Sequence, residues 1–347
     1  MARSRDHEYH RPARDIHARA LEACPRPPGE VAGRLDMVLQ PEARADESMK
    51  VVLGRLRAAM AYNLPGMLAN LDPEFLHDYR VAVRRTRSAL TQVKGVFAAG
   101  ITRRYREHFA RLGALTSPAR DADVYLLALD DYRTLLGPAL GPALDAFADF
   151  LEAHRAREYG RLRAELSRPG QRRTMDAWGD FLARPVPRHP AAVNAARPVK
   201  ELADERTWKM FRRVMKEGRA ITATAPPEAL HELRKSCKKL RYLMEFFASL
   251  YPAGETEPLI KALKRFQDNL GEYQDLSVQM DQLAGFEADM AREGHLAPAT
   301  RQAMEALVVR LAARRGEVRD AFDERFAAFS EPAVQATFEA LYHRGEG

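Results

Sequence analysis

Residues 230–244 read LHELRKSCKKLRYLM, and residues 76–90 read LHDYRVAVRRTRSAL. Laid over each other they match without a gap. Leu76 meets Leu230, His77 meets His231, Arg80 meets Arg234 and Arg87 meets Arg241. Asp78, Arg84 and Arg85 meet Glu232, Lys238 and Lys239. The offset is 154 residues, and it persists: Arg111 falls on Arg265, Asp121 on Asp275 and Val124 on Val278. A constant register over roughly 45 residues is hard to obtain by chance, so the chain reads as two similar halves from an internal duplication.

At 100° per residue, His77, Arg80, Arg84 and Arg87 share a helical stripe about 80° wide. Leu76, Tyr79, Val83 and Leu90 lie beside it, so one face packs and its neighbour carries a rail of cations. Arg85 falls off this stripe and is expected to widen the basic surface. His231, Arg234, Lys238 and Arg241 repeat the rail, with Lys235, Lys239 and Tyr242 on its flank. From His77 to Arg87 the rail runs roughly 15 Å.

Like charges three and four residues apart destabilise an isolated helix. Each helix carries one early acid, Asp78 or Glu232, placed to suit the positive N-terminus but not the later cations. Such charge points to an external anion, and spaced cations suit a repeating anion better than a single phosphate. The alternative is a solvated face whose carboxylate partners lie elsewhere in the chain. Each histidine, in the first turn after Pro73 or Pro227, is placed either to donate to a phosphate or to serve as a structural N-terminal residue.

The 347 residues carry a net charge of +7 and 46% hydrophobic side chains, and the pI is about 9.4. That is enough apolar material for a real core, and the charge favours an acidic partner. Cys24 and Cys237 form no metal-ligand spacing, which fits a reduced, cytoplasmic setting. No stretch approaches the roughly 20 apolar residues that span a bilayer, and the first residues do not read as a secretory signal. The Ala- and Arg-rich composition suggests a bacterial gene.

The fold class is all-α, with two antiparallel helical bundles and no alternating strand pattern. Residues 1–45 read as a basic, disordered tail, with one short helix near 12–22 and no supported metal role for His7, His10 and His17. Residues 46–184 form the first helical half, 185–198 (PVPRHPAAVNAARP) a proline-punctuated linker, and 199–343 the second half. Helices are expected at 47–70, 73–98, 101–116, 119–135 and 138–166. A second set is expected at 200–222, 227–250, 256–270, 272–292, 297–328 and 331–343.

The two histidine-led segments resemble the signature helices of the CHAD domain, the conserved histidine α-helical domain, over about residues 46–343. ARDADV and LGEYQDLSV resemble the motif that follows in that family. The resemblance implies two pseudo-symmetric bundles around a basic central cleft, binding of inorganic polyphosphate, and targeting to polyphosphate granules. By motif match, His77, Arg80, Arg84, Arg85, Arg87, His231, Arg234, Lys238, Lys239 and Arg241 are expected to line that cleft. Lys235 joins them as a flank of the second rail, and Arg111 and Arg265 as weaker candidates on the next helix of each half. Thr116 and Ser117 stand where the family has Leu-Gly, so the turn there is expected to differ. Family members are often fused to a triphosphate tunnel metalloenzyme, which would show ExExK. Glu255 and Glu257 come closest, but Leu259 takes the lysine position, so that domain is expected to be absent.

No phosphate-cradling glycine loop, dinucleotide fingerprint or HExxH is present. Asp121, Asp123 and Asp275 read as caps or as partners of arginines such as Arg120 rather than as metal ligands. No catalytic residue, cofactor or metal is assigned. The expected function is non-enzymatic binding of polyphosphate, with other polyanions as secondary partners and no membrane role. The alternatives are nucleic-acid binding, for which Tyr79 and Tyr242 are the nearest stacking aromatics, and a metal-dependent enzyme acting on phosphoanhydrides.

Overall fold

The computed structural model describes residues 37–343. The short helix near 12–22, the three tail histidines and most of the tail itself lie outside the described residues. Twelve α-helices follow: α1 (Ala45–Ala69), α2 (Pro73–Gln92), α3 (Ala99–Leu115), α4 (Ser117–Leu140), α5 (Asp145–Leu166), α6 (Pro169–Ala183), α7 (Val199–Arg219), α8 (Pro227–Phe246), α9 (Ala253–Arg292), α10 (Pro298–Asp320), α11 (Phe322–Phe329) and α12 (Pro332–Tyr342). Among the described residues the β content is a single isolated bridge, Arg44 with Pro198. The chain is all-α.

The described residues divide into two compact units that do not follow chain order. The first gathers 46–123 and 155–195; the second gathers 38–45, 124–154 and 196–343. Residues 124–154, expected with the first half, therefore pack within the second unit. The 195/196 boundary falls inside the proline-punctuated segment. That segment is tied down: the Asn194 backbone N–H donates to Gly95 O at 2.8 Å, and its side-chain amide donates to Lys94 O at 2.7 Å. The end of the expected tail is also held, because Leu39 N–H donates to Ser249 Oγ at 3.0 Å and Leu39 is buried.

In the first unit α2 begins with Asp72, whose carboxylate accepts the Glu74 N–H at 2.7 Å, followed by Pro73, which needs no N–H partner. It ends at Gln92, short of the expected 98, ahead of Gly95, whose φ of 75° leaves the helical region. The sequence reading missed α6. Its Trp178 is fully buried and packs 4.3 Å from Tyr105, tilted, and 5.6 Å from Phe109, edge to face, measured between ring centroids. Gly179 lies against the Arg57 guanidinium, which would have to shift to admit a Cβ at 2.6 Å.

In the second unit, α9 is one 40-residue helix where two were expected. Gly271 sits in its middle and costs some helix propensity without breaking it. The expected 297–328 helix is broken at Ala321 into α10 and α11. α4 departs from helical geometry at Gly137, φ 73°, followed by Pro138, matching the expected gap between 135 and 138. Residues 125–151 pack with α9 and α10 into one core in which positions 154 apart recur together: Leu129 with Leu283, Tyr132 with Phe286, Phe150 with Met304. The Tyr125 hydroxyl donates to Gln279 O, its own counterpart, at 2.5 Å.

Candidate functional site: two cation rails

α2 and α8 are both 20 residues long and begin 154 residues apart, each with proline in its first turn. In α2 the apolar face is buried as expected: Leu76, Tyr79, Val83 and Leu90. In α8 the same role falls to Leu230, Leu233, Cys237, Leu240 and Leu243. Cys237 is fully enclosed, and burial pushes its thiol pKa well up. The two rails differ in what stands beside them.

On α2, Arg84 and Arg87 are exposed, as is Arg111 on α3. None of the three makes an ion pair among the described residues. Arg80 is half-buried. Its Nη1 donates to Gly113 O at 3.0 Å and to Thr116 Oγ1 at 2.7 Å. Burial, helped by the nearby Arg84 and Arg120 charges and opposed by Asp121, lowers the Arg80 pKa to about 10. α3 stops at Thr116, and the threonine hydroxyl becomes a neutral acceptor for Arg80, whereas α9 runs straight through the matching position.

His77 is half-buried, and its pKa is lowered, first by burial and then by Arg120 and Arg84, against the pull of Glu74 and Asp78. Glu74, His77 and Asp78 form the one trio among the described residues whose donor atoms lie within 4.8 Å of each other. Arg120 stands 3.8 Å from Glu74, so a cation already occupies that electrostatic position. Arg85 is a correction. It is only 7% exposed and turns into the protein, so it does not widen the basic surface.

On α8, Arg234, Lys235 and Arg241 each have a carboxylate beside them. Arg234 donates to Asp275 at 2.9 Å. Lys235 donates to Glu232 at 2.7 Å, so that early acid does serve a later cation. Arg241 lies 3.5 Å from Glu245. His231 Nδ1 is held by Gln274 Oε1 at 2.7 Å, where the first half has Arg120. Lys239 is half-buried; burial, then Arg213 and Lys235, lower its pKa. Arg265 is exposed on α9.

Arg234, Lys238 and Arg241 line a groove of about 440 Å³ whose far wall carries Gln267, Asp268, Glu272 and Asp275 from α9. Glu272 is shared with Arg314 of α10 at 2.7 Å. The expectation of unrelieved positive charge therefore does not hold for α8. Glu232 and Glu245 of the same helix stand beside Lys235 and Arg241, and Asp275, beside Arg234, comes from α9.

Asp123 and Asp275 pair with arginines, with Arg155 and Arg234 in place of Arg120. Asp123, 1% exposed, accepts from Arg155 Nε at 2.5 Å and from the Tyr159 hydroxyl at 2.8 Å. Tyr79 and Tyr242 are buried, and no Phe, Tyr or Trp among the described residues is exposed. Glu255 and Glu257 lie within α9, in helical rather than strand geometry. No described helix is long and apolar enough to cross a membrane.

Residues 51–284 match the sequence model of the CHAD domain. No curated protein matches the chain. Among solved structures, the CHAD domain from the plant Ricinus communis superposes with a TM-score of 0.69 at 22% identity, covering 90% of this chain and 98% of the other. PptA from Streptomyces chartreusis gives 0.62 at 16% identity, covering 82% and 99%. At these identities the likeness is one of fold.

Proposed function

The chain belongs to the CHAD domain family, and we propose that its two cation rails bind inorganic polyphosphate without turning it over. The observation that carries this reading is the row of exposed guanidiniums Arg84, Arg87 and Arg111, which have no carboxylate partner among the described residues. The family's association with polyphosphate supplies the ligand. A linear anion with charge at every repeat neutralises a spaced row of cations and releases their counterions, so affinity should fall steeply with salt. Arg84 and Arg87 offer planar forks to phosphate oxygens. His77, whose pKa is depressed in the free protein, is placed to donate a hydrogen bond to phosphate and to take up a proton as it binds.

The buried tyrosines and the absence of exposed aromatics among the described residues disfavour single-stranded nucleic acid, which needs stacking platforms. The cations are spread along helices rather than converged on one reacting atom, which suits binding more than phosphoanhydride cleavage. Association with polyphosphate granules follows as the cellular consequence of the same binding.

The test is a competition titration of the full chain with long-chain polyphosphate at two salt concentrations, followed by duplex DNA, single-stranded RNA and ATP. Tight, salt-dependent binding that nucleic acid displaces poorly is expected. Stronger binding to nucleic acid would overturn the reading. Phosphate release that disappears in His77→Ala or His231→Ala would favour an enzyme instead.

A further inference from the structure

The two rails carry similar cations in the same register, yet more carboxylates stand beside the second than beside the first. Three carboxylates set against the α8 rail have no acidic counterpart on α2. Glu245, beside Arg241, is matched by Thr91; Asp268, in the groove wall, by Ala114; Glu272 by Pro118. Asp275 does have a counterpart, Asp121, but the contacts differ. Arg234 bonds its aspartate directly, while Arg80 spends its Nη1 on a carbonyl and a hydroxyl.

We propose that the rails divide polyphosphate unequally: α2 supplies most of the affinity, and the carboxylates beside α8 act as a built-in competitor for its cations. The inference rests on the polyphosphate reading and adds which of the two rails carries it. A phosphate that approaches Arg234 must displace Asp275 and also meets the field of Asp268. One that approaches Arg84 displaces only water. Anionic side chains beside a cation both neutralise it and repel the ligand, so an acid counts twice against binding.

Reciprocal exchange tests this. Asp268→Ala with Glu245→Thr gives the second rail the residues of the first. Ala114→Asp with Thr91→Glu does the reverse. Each is titrated with long-chain polyphosphate, with far-UV circular dichroism and melting as folding controls. The first exchange is expected to tighten binding about fivefold, and the second to weaken it at least about tenfold. Ala114→Asn with Thr91→Gln keeps the size and removes the charge, and should bind as the wild type does. Equal, small effects of both exchanges, or a loss in the neutral pair as large as in the acidic one, would overturn the inference while leaving polyphosphate binding intact. A wild-type chain that does not bind polyphosphate would instead remove the functional reading, and this inference with it.

Discussion

α2 and α8 are matched position by position in their own sequences and mismatched in what their neighbours place beside them. Arg80 ends on Thr116 and a helix-terminal carbonyl, while Arg234 ends on Asp275. His77 faces Arg120, while His231 is held by Gln274. Asp123 anchors a buried charge in the first unit, and its counterpart Ser277 only bonds back to Tyr273 O. A helix's count of cations therefore says how much positive charge it brings, and its neighbours decide how much remains for a ligand.

The largest effect expected is from charge reversal on both rails. Arg84→Glu with Lys238→Glu should reduce polyphosphate affinity by on the order of 1000-fold with native circular dichroism. As single changes, Arg84→Glu should cost clearly more than Lys238→Glu. Equal costs would erase the distinction between the helices, and retained affinity in the double variant would remove both from the site.

The next contrast is in stability. Asp123→Ala strands Arg155 and Tyr159 in a buried network and should cost about 3 kcal/mol, read as a large drop in denaturant midpoint. Ser277→Ala, at the matching position, should cost under about 1 kcal/mol. Comparable costs would show that the first unit does not depend on its buried charge.

A third contrast is with pH. His108 is 2% exposed, and burial with Arg111 and Arg104 nearby lowers its pKa to about 4. The unfolded chain therefore binds this proton first. Stability should fall as pH drops from about 6.5 to about 4, by roughly 2–3 kcal/mol in total. The second half has Ala262 at this position. His108→Leu should flatten this slope, and an unchanged slope would assign acid sensitivity elsewhere.

The smallest effect concerns His77. Its pKa is depressed in the free protein, and a bound phosphate would raise it. Binding then takes up a proton, and affinity should rise a few-fold between pH 8 and pH 6. His77→Gln should remove that dependence, which isothermal titration in two buffers would detect.

The all-α class, the paired helices and the buried face with Leu76, Tyr79 and Val83 were legible because each is written within one helix at a 3.6-residue period. The fate of the cations was not, because Asp275, Asp268 and Gln274 lie about 30 to 40 residues from the rail they touch, and only folding brings them near. Arg85 looked exposed because charge is a good guide to the surface, and its burial at 7% exposure is set by tertiary packing that no single helix records. α6 was missed among prolines, glycines and arginines. Its signal was the spacing of Met175, Trp178 and Leu182, which fits one helical face.

Cys237 lies on the inner side of the same helix whose outer side offers Lys238. The native thiol is therefore silent to alkylating reagents, and its labelling reports how often the α8 core opens. A ligand that binds only the closed form slows that labelling by the factor 1 + [L]/Kd. One buried sulfur atom thus serves as a clock for occupancy of the rail on the opposite face, with no chromophore or tag added to either.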